Sequence, residues 1–253
     1  MKKTILTAIA AAFVMAAGAH AQLLTGAGAT FPAPVYTKWA EAAKSATGVE
    51  LNYQSIGSGG GQNQIISRTV DFGASDAPVS ADKLTSNNLL QVPTVMGAVV
   101  AIVNVPGVEN NQLHLSPAVL AGIYLGKITS WNDPAIVKDN PGLNLPKLTI
   151  APIFRADGSG TTFVWTSYLS KVSTDWQNSV GANTSIKWPT GNGAKGNDGV
   201  SAVVKQVKGA IGYVESTYAS QNHLIVAQLQ SANGHWVVAN NDSFIAEIGR
   251  AHV

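Results

Sequence analysis

Three times along this chain a β-like run gives way to a turn of Gly, Ser and Thr, and then to a helical run. The turns are Thr25-Gly26-Ala27-Gly28-Ala29-Thr30-Phe31-Pro32, Ile56-Gly57-Ser58-Gly59-Gly60-Gly61 and Arg155-Ala156-Asp157-Gly158-Ser159-Gly160-Thr161-Thr162. A chain that repeatedly turns strand into helix is committed to layered α/β architecture. The turns also have a chemical consequence. A helix N-terminus presents unpaired N–H groups and the positive end of the helix dipole. Glycine lets the backbone approach a ligand closely, and Ser and Thr hydroxyls add donors. One such turn reads as an ordinary N-cap. Three of them, the last opening with the permanently charged fork of Arg155, point to a small, enclosed anion.

The intervening pattern supplies the rest of an α/β layout. Residues 34–45 carry Val35, Trp39, Ala42 and Ala43 at helical spacing and close on Gly48. Strands are expected at 23–25, 49–56, 72–75, 148–154 and 210–214. Helices are expected at 62–70, 117–124, 133–139, 161–171 and 200–207. Residues 98–105 form a nearly continuous apolar run, the signature of a strand buried on both faces. The segment 93–106 reads as a crossing between two lobes. Trp39 and Trp165 fall within helical patterns and are expected in the core.

Other chemistries find little support. There is no phosphate-loop motif, and Phe31 stands where a dinucleotide fingerprint following Gly26 and Gly28 needs its third glycine. Gly191-x-Gly193-x-x-Gly196 fits that fingerprint but follows no clear strand, so it reads as a chance match or a loop. None of His114, His223 and His235 sits near a serine motif or near another His at metal-ligand spacing, so neither a triad nor a metal site is supported. The absence of cysteine excludes disulfides, thiolate ligands, a Cys nucleophile and a lipid-modified N-terminal Cys. Charged residues are 12% of the chain, about half the usual ~25%. Lys2 and Lys3, the uncharged run from Thr4 to Gly18 and Ala19-His20-Ala21 make residues 1–21 a secretory leader cleaved after Ala21. Without those two lysines, 14 basic residues face 14 acidic ones, which lacks the footprint of a nucleic-acid binder. At the other end, residues 248–253 resemble the translation of a sequencing-library adapter, so the natural chain is expected to continue beyond Glu247.

Several stretches are similar to the PstS family, the periplasmic phosphate-binding proteins of phosphate ABC transporters. They are Thr25–Tyr36, Asp71-Phe-Gly-Ala-Ser-Asp-Ala-Pro78, Arg155–Thr161, Lys195-Gly-Asn-Asp-Gly199 and Gly209-Ala-Ile-Gly-Tyr-Val-Glu215. The resemblance runs from about Leu24 to about Val226. It implies an α/β, two-lobed periplasmic-binding-protein fold, type II-like, with phosphate in the interlobe cleft. Lobe I would take residues 22–98 and lobe II residues 99–247, with a return segment of lobe I beyond the given chain. Carried over by position, the resemblance implies phosphate contacts from Thr30 and the Phe31 backbone N–H, from Ser58 and Asp76, and from Arg155, Ser159, Gly160 and Thr161. Asp157 would hold Arg155. Gly59 stands where many relatives have a second Ser, its backbone N–H remaining.

Asp76 carries the selectivity argument. A carboxylate beside an anion is repulsive unless the anion keeps a proton. Phosphate near neutral pH does, and sulfate does not. A carboxylate acceptor therefore rejects sulfate by facing it with lone pairs only. The resemblance further implies a monomer without cofactor or metal, which serves ABC permease subunits at the inner membrane, binds no nucleic acid and performs no catalysis. Two alternatives share the same turns. One is a phosphomonoesterase using Ser58 or Ser159, for which no base is placed. The other is a binding protein for sulfate or molybdate.

Overall fold

The first strand-turn-helix unit opens the described part of the molecule; the computed structural model describes residues 22–231 and 233–250. The expected leader and its expected cleavage point lie outside the described residues, as do residues 251–253. Strand β1 (Leu23–Gly28) leads into helix α1 (Ala33–Thr47), and β2 (Glu50–Ser55) into α2 (Ser58–Ile66). After them come β3 (Phe72–Ala74) and α3 (Ala81–Ser86). The three strands form a parallel sheet in the order β2-β1-β3. Proline opens α1, where its missing N–H costs nothing, and Gly48 ends it in the left-handed conformation (φ 73°). The carboxylate of Asp71 accepts from both the N–H and the hydroxyl of Thr25 and ties the approach to β3 onto β1.

Residues 87–98 have no regular structure and lead into the second lobe. Its elements are β4 (Val99–Val103), β5 (His114–Leu115), α4 (Pro117–Tyr124), α5 (Pro134–Asp139), β6 (Ala151–Arg155), α6 (Gly160–Val172) and α7 (Thr174–Ser179). They continue with β7 (Asn192–Ala194), α8 (Gly196–Gln206), β8 (Ala210–Glu215), α9 (Ser216–Gln221), β9 (Ile225–Val226), β10 (Gln228–Gln230), β11 (Trp236–Val237) and α10 (Asn241–Arg250). Five strands make a sheet ordered β7-β6-β8-β4-β9, in which β7, β6 and β8 run parallel and β4 antiparallel to β8 and β9. A small sheet, β11-β10-β5, flanks it.

The apolar run of β4 behaves as its composition demands. Ala101 and Val103 face one core with Ile211 and Tyr213 of β8, beneath α4 and α6. Val100 and Ile102 face the other with Ala210 and Val214, beneath α8 and α9. Period-two alternation on a sheet covered from both sides produces two cores from one run of valines. The first core is rich in aromatics, Trp131 and Trp176 being wholly buried.

The first lobe is packed differently. Among the described residues its core cluster is Ala29, Tyr36 and Ala74, with Phe31, Leu51, Tyr53, Phe72 and Val95 partly covered against it. The expectation that Trp39 is a core residue is incorrect. It leans on the ring of Tyr36 (centroids 5.6 Å apart) but stays 48% exposed, because α1 buries only Tyr36 and no described element covers its outer face. Trp165 is buried as expected. Helix α2 begins at Ser58 and α8 at Gly196, each four residues before its expected start. In both cases the glycines read as loop form the first helical turn.

Candidate functional site

Each candidate residue lies at or just past the C-terminal end of a strand, where open α/β sheets collect ligands. Thr30 and Phe31 follow β1, Ser58 follows β2, Asp76 follows β3, and the Arg155–Thr161 turn closes β6 and opens α6. The two Gly-rich turns press against each other across the lobes. The Gly59 N–H donates to Gly158 O at 2.9 Å, and a Cβ on Gly59 would stand 3.3 Å from the Gly158 Cα. The Gly59 N–H, expected to remain for a ligand, is thus spent on the opposite lobe.

Ser58 joins the two halves. Its wholly buried hydroxyl oxygen accepts the Gly160 N–H at 3.0 Å and the Asp76 N–H at 3.2 Å. With both lone pairs taken, its proton is left to donate. Gly160 is required by this closeness, since a Cβ there would fall 2.5 Å from the Asp76 Cβ and 2.7 Å from Ser58 Oγ. Ser159 is the N-cap of α6, where its Oγ accepts from Thr162 N at 3.0 Å.

Arg155 is almost wholly buried and forked onto Asp157. Its Nε donates to Oδ1 at 2.8 Å and its Nη2 to Oδ2, while Nη1 reaches Thr161 Oγ1 at 3.4 Å. Burial pulls the Asp157 carboxyl up, but the Arg155 bonds and charge and the Gly196 N–H outweigh it and hold the group below the usual range. Asp76 goes the other way. Burial raises it to about 6 against the opposing pull of Arg155 and of the Thr161 hydroxyl and N–H. The site therefore holds one cation already satisfied by its own carboxylate, the Ser58 hydroxyl with its proton left to donate, and one acceptor that resists ionisation, while the Gly160 N–H is spent on Ser58 and the Ser159 N–H on Thr184 O.

Thr30 is tied to the second lobe by a residue the sequence reading passed over. Asn197, fully buried, donates from Nδ2 (2.6 Å) and from its backbone N–H (3.3 Å) to Thr30 Oγ1. Its Oδ1 accepts from Glu215 N at 3.0 Å, and the neighbouring Gly196 N–H donates to Asp157 Oδ1 at 3.0 Å. Tyr218 Oη donates to Thr30 O at 2.7 Å. Among the described residues the backbone N–H groups of Thr30 and Phe31 meet no acceptor, while the Phe31 ring packs in the first-lobe core. The stretch from Gly191 to Gly196 is thus no mere loop. It is a fourth strand-turn-helix unit, built on a three-residue strand too short to show periodicity. All the expected residues occupy the facing rims of one interlobe convergence. Among the described residues no serine hydrolase arrangement is built, since His114 stacks on Trp236 (centroids 4.6 Å apart) and His223 and His235 belong to peripheral segments. No group of three or more His, Asp or Glu side chains is placed to hold a metal among the described residues.

Residues 15–249 match the model of the PBP superfamily domain. The chain is 55% identical over 232 residues to the phosphate-binding protein PstS of Pasteurella multocida, covering 92% of this chain and 67% of that protein. It is 53% identical over 233 residues to the phosphate-binding protein PstS of Haemophilus influenzae, covering 92% and 70%. It spans about two thirds of the length of these relatives. In structure it resembles a phosphate ABC transporter substrate-binding protein from Clostridium perfringens crystallised with phosphate. That match has a TM-score of 0.68 at 19% identity and covers 90% of this chain and 82% of the other, a likeness of fold.

Proposed function

The chain belongs to the PstS family of the PBP superfamily, and from this we propose that it is a periplasmic solute-binding protein that captures inorganic phosphate between its lobes and delivers it to an ABC-type importer. It is a binding component and not an enzyme. The phosphate would lie among Thr30, Phe31, Ser58, Asp76, Arg155, Ser159, Gly160 and Thr161, with Asp157 keeping Arg155 extended. The observation that carries this reading is the meeting of Ser58, Asp76 and the Gly160 N–H across the lobe boundary, because it makes the site exist only when the lobes close. Lobe I is taken as residues 22–98 and lobe II as residues 99–247, a division supported by the change of sheet at Val99. Export with cleavage after Ala21, a monomeric state and docking of the closed form on permease subunits complete the reading. No described helix is long and apolar enough to cross a membrane.

The chemistry follows from the donor count. N–H and O–H groups grip the phosphate oxygens, Arg155 supplies a charge already shared with Asp157, and Asp76 accepts the proton that phosphate keeps. Losing one such charge-assisted bond costs about 1.5–3 kcal/mol, roughly tenfold to a hundredfold in affinity. Calorimetric titration with phosphate, with and without excess sulfate, tests this. Binding that sulfate cannot block is expected of the unaltered protein. Asp76→Asn should weaken phosphate binding at least tenfold and admit sulfate; a variant of unchanged selectivity would defeat the proton-reading role.

A further inference from the structure

We infer that Asn197 is a positioning residue which makes Thr30 an obligate hydrogen-bond donor to the bound anion, and that it does so only when the lobes meet. The inference rests on the proposed reading of Thr30 as a phosphate ligand. A threonine hydroxyl has one proton and two acceptor lone pairs, so in water it donates or accepts with equal ease. Toward an anionic oxygen only donation helps. In the closed molecule Thr30 Oγ1 accepts from both Nδ2 and the backbone N of Asn197, at 2.6 and 3.3 Å. Both acceptor directions are filled from the second lobe, and the hydroxyl proton meets no acceptor among the described residues.

The amide is not free to turn over. Its other end faces the Glu215 N–H, which can only donate, so Oδ1 belongs there and the NH2 group belongs on Thr30. The Asn197 backbone is fixed at the start of α8, beside the Gly196 N–H that holds Asp157. Thr30 is pinned at its carbonyl as well, by Tyr218 Oη at 2.7 Å. With the lobes apart, water replaces Asn197 and the hydroxyl recovers its choice. Closure therefore does more than enclose the ligand: it sets the hydrogen-bond polarity of a first-lobe residue from the second lobe. Asn197 need not touch the anion to do this.

A double-mutant cycle tests the inference, with calorimetric titration of inorganic phosphate into the unaltered protein, Thr30→Val, Asn197→Asp and the double variant. Asn197→Asp keeps the side chain's size and an acceptor for the Glu215 N–H, but turns the group facing Thr30 from donor into acceptor, so it captures the hydroxyl proton. The added negative charge repels phosphate in either background and cancels in the cycle. The affinity loss caused by Asn197→Asp should be at least tenfold greater with Thr30 present than with Thr30→Val. Equal losses in the two backgrounds, or a Thr30→Val variant that binds as tightly as the unaltered protein, would overturn the inference while leaving the phosphate site standing. An unaltered protein that binds no phosphate would instead overturn the site itself. If Asn197→Asp shows no cooperative melt, Asn197→Ala takes its place in the cycle with the same two outcomes.

Discussion

Asp76 is costly to the fold in the state that serves the ligand. Burial lifts its carboxyl to about 6, above the ~3.9 of an unfolded chain. The folded protein therefore holds this proton more tightly than the unfolded one. That preference stabilises the fold fully below the unfolded value and is lost as pH rises through about 6, so at neutral pH the ionised group counts against stability. Asp76→Asn should accordingly raise the ligand-free melting midpoint at pH 7.5, with the gain shrinking toward nothing by about pH 4. Thermal melts at the two pH values measure it, and a lower midpoint for the variant at pH 7.5 would contradict the argument. Better stability with poorer binding in a single substitution is the expected signature of a residue kept for its ligand.

At the scale of elements, the start of α6 shows how helix chemistry serves closure. Gly160 is the first residue of α6, where the mid-helix advantage of alanine over glycine, about 0.5–1 kcal/mol, applies only in part, so with the lobes apart Gly160→Ala should leave the ligand-free midpoint nearly unchanged. The same methyl group would sit 2.5 Å from the Asp76 Cβ. Phosphate affinity should fall at least about a hundredfold, more than the loss of any single buried bond. Titration beside a melt separates the two effects, and an affinity within threefold of the unaltered protein would mean that Asp76 and Gly160 need not approach. The same close approach explains what the sequence could and could not disclose. Strand β4 was legible because its valines report burial on both faces, and α1 because apolar spacing and Gly48 mark its body and end. The starts of α2 and α8 were not, because Gly59, Gly60, Gly61 and Gly196 signal a loop by propensity, whereas their helical turns are made by packing. Gly61 is forced by the Gly28 Cα and the Ala27 carbonyl, which a Cβ would meet at 2.5 and 2.6 Å. Asn197 escaped for a related reason: its role depends on residues 167 positions away in the chain, which no local pattern encodes.

Over the whole molecule, stability and ligand contact are distributed unequally. The second lobe holds two cores on either side of one sheet. The first holds a small cluster and carries Leu23, Trp39, Leu90, Val92 and Met96 exposed to solvent. Yet four of the proposed ligands, Thr30, Phe31, Ser58 and Asp76, belong to the first lobe. A weakly packed lobe opens locally at low free-energy cost, and a ligand that binds only the closed form stabilises most what was least stable without it. Amide hydrogen exchange read by mass spectrometry should therefore show β1, β2 and β3 exchanging at least about tenfold faster than β4, β6 and β8 in the absence of phosphate. Saturating phosphate should slow the first group far more than the second, and the peptides at Thr30 and Ser58 most of all. Uniform exchange across both lobes would contradict the unequal packing, and protection confined to α6 and α8 would mean that the ligand is held by the second lobe alone. If the first lobe is the one that tightens, the hydrogen bonds from Asn197 to Thr30 and from Gly160 to Ser58 are the links by which the well-packed lobe lends its order to the other.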